Sequence, residues 1–133
     1  MFLRFVRLTT VEGATAREGF FTAAYELREK QGVDAASLNR LEDMLAWFRQ
    51  NLTIPSRFNR SKSKGAYRRT NTKGLSWFKP NAMEHVTRAY ELAEKLSQHG
   101  YYIEVLKSPR PGYVVYEDEF QLIAEPFADT AGA

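Results

Sequence analysis

Between Asp43 and Glu84 the chain holds no acidic residue but nine basic ones: Arg49, Arg57, Arg60, Lys62, Lys64, Arg68, Arg69, Lys73 and Lys79. Seven of them fall between Arg57 and Lys73, where Phe58 and Tyr67 interrupt the run. Cations at this density neutralise phosphates and release counterions, and rings set among them offer faces on which unpaired bases stack. Arg57, Arg60, Lys62, Lys64, Tyr67, Arg68, Arg69, Lys73 and Lys79 are therefore the candidate polyanion-binding residues. The pattern matches no DNA- or RNA-binding signature, so it specifies a partner's charge and not its sequence. The simpler reading is a solvated loop whose charges keep it in water or meet acidic groups elsewhere.

Other residues capable of chemistry are few. His85 and His99 lie fourteen residues apart on one expected helix, about 40° apart around the axis but about 21 Å along it, so they cannot share a metal or a proton. His99, beside Gly100, suits the negative end of a helix dipole, and His85 is expected on the helix surface. Glu117, Asp118 and Glu119 form the one acidic run, and turn chemistry accounts for the first two. Glu119-Phe-Gln121 resembles the acid-x-lysine element of metal-dependent nucleases, with glutamine in the lysine's place. An enzyme would need Glu84, His85, Asp118 or Glu119 to converge in one pocket. There is no Gly-x-Ser-x-Gly elbow, P-loop or Gly-x-Gly-x-x-Gly fingerprint, and the absence of cysteine excludes disulfides, thiolate zinc sites and a cysteine nucleophile. No catalytic residue, metal or cofactor is expected, and a non-catalytic protein is favoured.

The elements that position these residues read as follows. Phe2 to Leu8 carries apolar residues on both sides, as an interior strand does. Phe20, Ala24 and Leu27 recur at helical spacing within Thr15 to Gln31, with Gly19 delaying the start and Gly32 placed to end the helix. Asp34 then caps a second helix whose stripe is Leu38, Leu41, Leu45, Phe48 and Leu52, and Pro55 closes it. Residues 56–73 are read as a long basic loop. Leu75, Trp77 and Phe78 suit a half-buried strand that stops at Pro80. Asn81 is the expected N-cap of a third helix, with Glu84 completing a capping box and Ala82, Val86, Ala89, Tyr90, Ala93 and Leu96 facing the core. The free N–H groups at its start, beside Lys79, would favour an anion. Tyr101 to Lys107 is a strand, and Tyr113 to Tyr116 with Phe120 to Glu125 a hairpin.

The expected fold is a single α+β domain over residues 1–127 with three helices, in the order β-α-α-β-α-β-β-β, and a flexible tail at 128–133. Its sheet is expected to be mixed and mostly antiparallel, with the strands at 75–78 and 101–107 forming a parallel pair before an antiparallel meander. At 133 residues the chain can bury a core without disulfides, and its 44% hydrophobic and 26% charged residues suit a folded, soluble chain. The net charge of +3 conceals a segregation: outside the acid-free interval ten basic residues face sixteen acidic ones, a net of −6. The opening Met-Phe-Leu-Arg-Phe-Val-Arg-Leu is too interrupted for a signal peptide, and no long apolar run follows, so a cytoplasmic protein with no membrane partner is expected.

Gly74-Leu-Ser-Trp-Phe-Lys-Pro80 and Arg110-Pro-Gly-Tyr-Val-Val-Tyr-Glu-Asp-Glu119 resemble phrases shared by a group of small uncharacterised bacterial proteins. The resemblance implies a bacterial source and brings no activity or site. Two functional expectations follow from the residues themselves. One is a non-catalytic protein that engages nucleic acid or another polyanion through the basic loop. The other is a protein-interaction or inhibitory, regulatory module that uses the aromatic and acidic C-terminal hairpin, drawing on rings such as Tyr113 and Tyr116.

Overall fold

The computed structural model describes residues 1–8, 17–54 and 74–127. The expected link at Gly13, Pro55, the loop at 56–73 and the tail at 128–133 lie outside them. Five strands and three helices follow the expected order: β1 (Phe2–Arg7), α1 (Phe20–Glu29), α2 (Ala35–Asn51), β2 (Leu75–Phe78), α3 (Met83–Gln98), β3 (Ile103–Ser108), β4 (Gly112–Glu117) and β5 (Gln121–Pro126). The fold is α+β. No helix among the described residues is long and apolar enough to cross a membrane.

The helices form largely where local signals place them. Gly19 precedes the first turn of α1, which therefore starts late. Gly32 adopts φ +86°, a left-handed conformation that costs glycine little, in the turn that leads to α2. Asp34 caps α2 by accepting from Ser37 N at 2.9 Å. Leu41, Leu45 and Phe48 bury the helix's stripe, with Leu38 and Leu52 at its half-buried ends.

Three expectations about α3 are corrected. Asn81 does not cap it: Ala82 holds the N-cap position without a side-chain hydrogen bond, because Ala82 N is already turned back onto Lys79 O at 3.1 Å. Glu84 accordingly makes no capping box and reaches forward to Arg88 at 3.4 Å. The buried stripe is His85, Ala89, Leu92 and Leu96, one step round from the expected Val86 and Ala93, which flank it. His85 is therefore a core residue and not a surface one. Tyr90 is half exposed, although its ring edge meets Phe5 at 5.0 Å.

The strand order is β3-β1-β2-β5-β4 and every pairing is antiparallel, so the sheet is not mixed. β2 and β3 do run in the same direction, but β1 lies between them and they form no parallel pair. The expected meander is likewise replaced: β4 pairs with β5, while β3 sits at the other end of the order. β1 is interior, as its two-sided apolar pattern requires.

This order bends the sheet. β3 and β4 occupy its opposite ends, yet only residues 109–111 separate them in the chain. Four Cα steps span at most about 14 Å, whereas a flat five-stranded sheet sets its edges about 19 Å apart. The two strands also run in the same direction, so β4 continues β3 and the sheet must coil upon itself. Burial agrees with this. Leu3, Phe5 and Phe78 face the helices in the main core, while Val6, Trp77 and Leu106 on the other face form a second, smaller core with Phe2. A flat sheet with helices on one side would leave Trp77 in solvent; it is 1% exposed.

β1 and β2 meet only at Leu3 and Phe78. Beyond that point Glu18 and Gly19 take β2's place along β1, through Arg7 N to Glu18 O at 2.9 Å and a bridge from Val6 to Gly19. Two arginines fasten this insertion reciprocally. The Arg4 side chain donates to Arg17 O at 2.8 Å, and the Arg17 side chain donates to the carbonyls of Arg7 and Leu8 at 2.7 and 3.1 Å.

At the start of the β4–β5 ladder, where Gly112 stands opposite Pro126, the strands approach so closely that a Cβ on Gly112 would collide with the carbonyl of Glu125. Gly112→Ala is expected to cost about 2–3 kcal/mol, as backbone overpacking does, measured as a lower urea midpoint with an unchanged m-value.

Candidate polyanion interface and its anchor

Of the candidate polyanion-binding residues, Arg57, Arg60, Lys62, Lys64, Tyr67, Arg68, Arg69 and Lys73 lie outside the described residues. Lys79 lies within them. Its ammonium contacts Glu117 Oε2 at 2.6 Å, and its backbone N donates to Phe120 O at 2.9 Å. Lys79 thus ties the end of β2 to the β4–β5 hairpin while retaining partial exposure.

What the structure does describe is where the basic segment departs and returns. The chain leaves α2 through Asn51, Leu52 and Thr53 and comes back at Gly74 into β2. Both ends meet the buried side chain of Gln121. Its Nε2 donates to Thr53 O at 2.6 Å, and its Oε1 accepts from Ser76 Oγ at 2.8 Å. A single carboxamide, with its donor and acceptor on opposite corners, therefore spans the root of the segment. Gln121 occupies this place because it faces Phe78 across β2 and β5, on the helix-facing side of the sheet.

Asp118 orients that amide. One carboxylate oxygen accepts from the backbone N–H groups of Phe120 and Gln121 at 2.9 and 3.0 Å. The other accepts from Tyr116 Oη at 2.9 Å and Gln121 Nε2 at 3.2 Å. Burial resists ionisation of Asp118, but the hydrogen bonds from Phe120, Tyr116 and Gln121 outweigh it and hold the carboxyl below its ordinary 3.8. The bond to Asp118 and burial push the Tyr116 phenol upward.

A second anchor comes from α3. His85 Nε2 lies 2.7 Å from Asn51 O, and its ring is stacked on Phe120 at 4.2 Å and edge-on to Trp47 at 4.8 Å. Arg88 covers Trp47 from outside at 4.3 Å. The last turn of α2 is thus held to α3 and to the hairpin tip.

His85 and Asp118 do come to the same end of the molecule, but the His85 Nε2 is committed to a backbone carbonyl and both Asp118 oxygens to donors. Glu84 points to Arg88. The glutamine in the acid-x-Gln sequence is buried and saturated, so it has no free group for a substrate. No cluster of His, Asp or Glu suited to a metal ion occurs among the described residues. Histidine 99 ends α3 at its C-cap, where a helix dipole favours it.

Sequence reasoning missed Gln121, Thr53 and the buried role of His85. The available signal was a glutamine heading the apolar run Leu122, Ile123 and Ala124, since a polar residue on a buried strand must find partners. Comparison with protein-family models, with curated proteins and with solved structures finds no match to this chain.

Two outcomes are expected. Gln121→Leu leaves the Thr53 carbonyl and the Ser76 hydroxyl without their partner and should lower stability by about 2–3 kcal/mol, read from urea unfolding; a change below 0.5 kcal/mol would show that the amide anchors nothing. Asp118→Asn should cost about 1–2 kcal/mol at pH 7. Because the native carboxyl titrates below its unfolded value, that difference is fully present above about pH 4 and is lost as pH falls through the native pKa. Unfolding curves of both proteins from pH 7 to pH 2 would show the gap closing, and a gap independent of pH would refute the assignment.

Proposed function

We propose that this protein is a small non-catalytic binding protein that engages nucleic acid or another polyanion through the basic segment from Arg57 to Lys73, with Lys79 beside it. The observation that carries the reading is the segregation of charge. Within the described body, Arg7, Arg17, Arg28, Arg40, Arg49, Lys79 and Arg88 each pair with a carboxylate of the same chain. The seven cations between Arg57 and Lys73 come from a stretch with no acid of its own. A net acidic body in which those cations are paired, joined to a segment of cations with no acid, is the composition of a domain carrying an electrostatic contact.

The anchoring of both ends supports the same reading. A segment tethered through Thr53 and Ser76 loses less conformational freedom on binding than a free tail of the same composition, which favours affinity. Tyr67 and Phe58 add ring faces for unpaired bases, so single strands are the preferred class of nucleic acid. The rival protein-interaction reading draws on Tyr113 and Val114, which are exposed on β4. Its acidic component is weaker, because Glu117 is paired with Lys79 and Asp118 is engaged within the hairpin.

Fluorescence anisotropy of labelled single-stranded and duplex oligonucleotides tests the proposal. Binding should be saturable at low salt and fall steeply as salt rises, with log–log slope about −0.7 per phosphate neutralised on a single strand. Arg68→Ala, Arg69→Ala and Lys73→Ala together should lower that slope by about two to three phosphates' worth and weaken binding to all sequences alike. Unchanged affinity in the triple variant sinks the idea. A salt-insensitive complex with a protein that fails on Tyr113→Ala would favour the rival.

A further inference from the structure

Arg4 stands on the coiled sheet's inner face between Phe2 and Val6, opposite Leu106 of β3. It is 6% exposed. Its Nη2 donates to Arg17 O at 2.8 Å, but its Nη1 is buried with no hydrogen-bond partner among the described residues. A guanidinium presents five donors in a fixed fork and has no acceptor, so such a group is completed only by an acceptor brought to it. Natural structures rarely keep a buried donor unpaired, and a bound ion is one of the standard reasons when they do.

The surrounding charge sharpens the point. The charged neighbour that acts on Arg4 is Arg17, another cation. Arg17 spends its own guanidinium on Glu104 at 2.8 Å and on the carbonyls of Arg7 and Leu8. Glu104 is thus engaged by Arg17, and Arg4 has no carboxylate partner among the described residues, which leaves a local excess of positive charge against Val6, Trp77 and Leu106. Burial first, and then the charge of Arg17, bring the Arg4 guanidinium down to about 10, which keeps it cationic at neutral pH. The Arg17 and Glu104 side chains are 14% and 42% exposed, so this pair lies nearer the surface than Arg4.

We infer that Arg4 is the recognition group of a small-oxyanion site, with inorganic phosphate as its simplest ligand. The free Nη1 donates to one oxyanion oxygen, the Arg17 guanidinium supplies the second charge, and the apolar inner face keeps the local dielectric low, where a charge-assisted hydrogen bond is strongest. None of these residues belongs to the basic segment, so the site is independent of the proposed polyanion contact.

The test is a titration of the full chain with inorganic phosphate against chloride at constant ionic strength, followed by thermal unfolding and by NMR of arginine side-chain N–H groups. Phosphate should raise the unfolding temperature of the wild type and shift the Arg4 resonance saturably. Arg68→Ala, Arg69→Ala and Lys73→Ala together should leave that response intact, which separates it from the basic segment. Arg4→Lys keeps the charge but loses the fork, and should weaken apparent affinity about tenfold. Arg4→Met should abolish the response. Where Arg4→Met fails to fold, Arg4→Lys carries the comparison. Phosphate stabilisation that is equal in the Arg4 variants, that vanishes in the triple variant, or that is missing from the wild type overturns the inference.

Discussion

A buried carboxamide joins the end of α2 to the β2–β5 ladder and to the hairpin tip. Gln121 sits at the start of β5, yet its amide reaches the carbonyl that follows α2, the hydroxyl in β2 and the carboxylate at the hairpin tip. Each of these bonds alone contributes about 0.5–1.5 kcal/mol, but removing the amide would take a partner from several polar groups at once. Such networks specify one arrangement strongly, because a partial set of partners is worse than none. The residue therefore fixes where the long basic segment departs and where it returns, and it ties both points to the terminal hairpin.

The coiled sheet supplies the other constraint. Because β4 continues β3 after three residues, the antiparallel order β3-β1-β2-β5-β4 can exist only if the sheet wraps round, and this creates a second interior on the side away from the helices. Trp77 and Val6 occupy it for ordinary hydrophobic reasons. Arg4 occupies it at a cost, with part of its fork fastening the segment before α1 and part left over. Gln121 and Arg4, two of the polar residues buried in the interior, thus differ in kind: the Gln121 amide has partners on both its oxygen and its nitrogen, whereas one nitrogen of the Arg4 fork has none among the described residues.

The same contrast governs charge. Ion pairs across the body, such as Arg7 with Glu26 at 2.7 Å and Lys79 with Glu117 at 2.6 Å, join neighbouring elements and neutralise one another. Partly exposed pairs like these contribute little to stability individually. The chain outside the segment between Arg57 and Lys73 is net acidic, whereas that segment carries seven cations and no acid. Any electrostatic encounter is steered to that segment.

The element types and their order were legible from residue spacing, because helical and strand periodicities are local properties of a stretch such as Leu41, Leu45 and Phe48. The Asp34 cap and the left-handed turn at Gly32 were legible for the same reason. Asn81 misled because a capping sequence states a preference, and the turn from Lys79 to Ala82 decided which residue preceded the helix. His85 misled because the stripes through Val86 and through His85 differ by one position, and only the packing of α3 against Trp47 and Phe120 chose between them. The concentration of positive charge was set by composition alone. The pairing of β3 with β1, the coil of the sheet, and the meeting of Thr53 and Ser76 on Gln121 were decided only by tertiary structure, because each joins residues far apart in the chain, and a buried amide such as Gln121 must find its partners wherever the fold brings them.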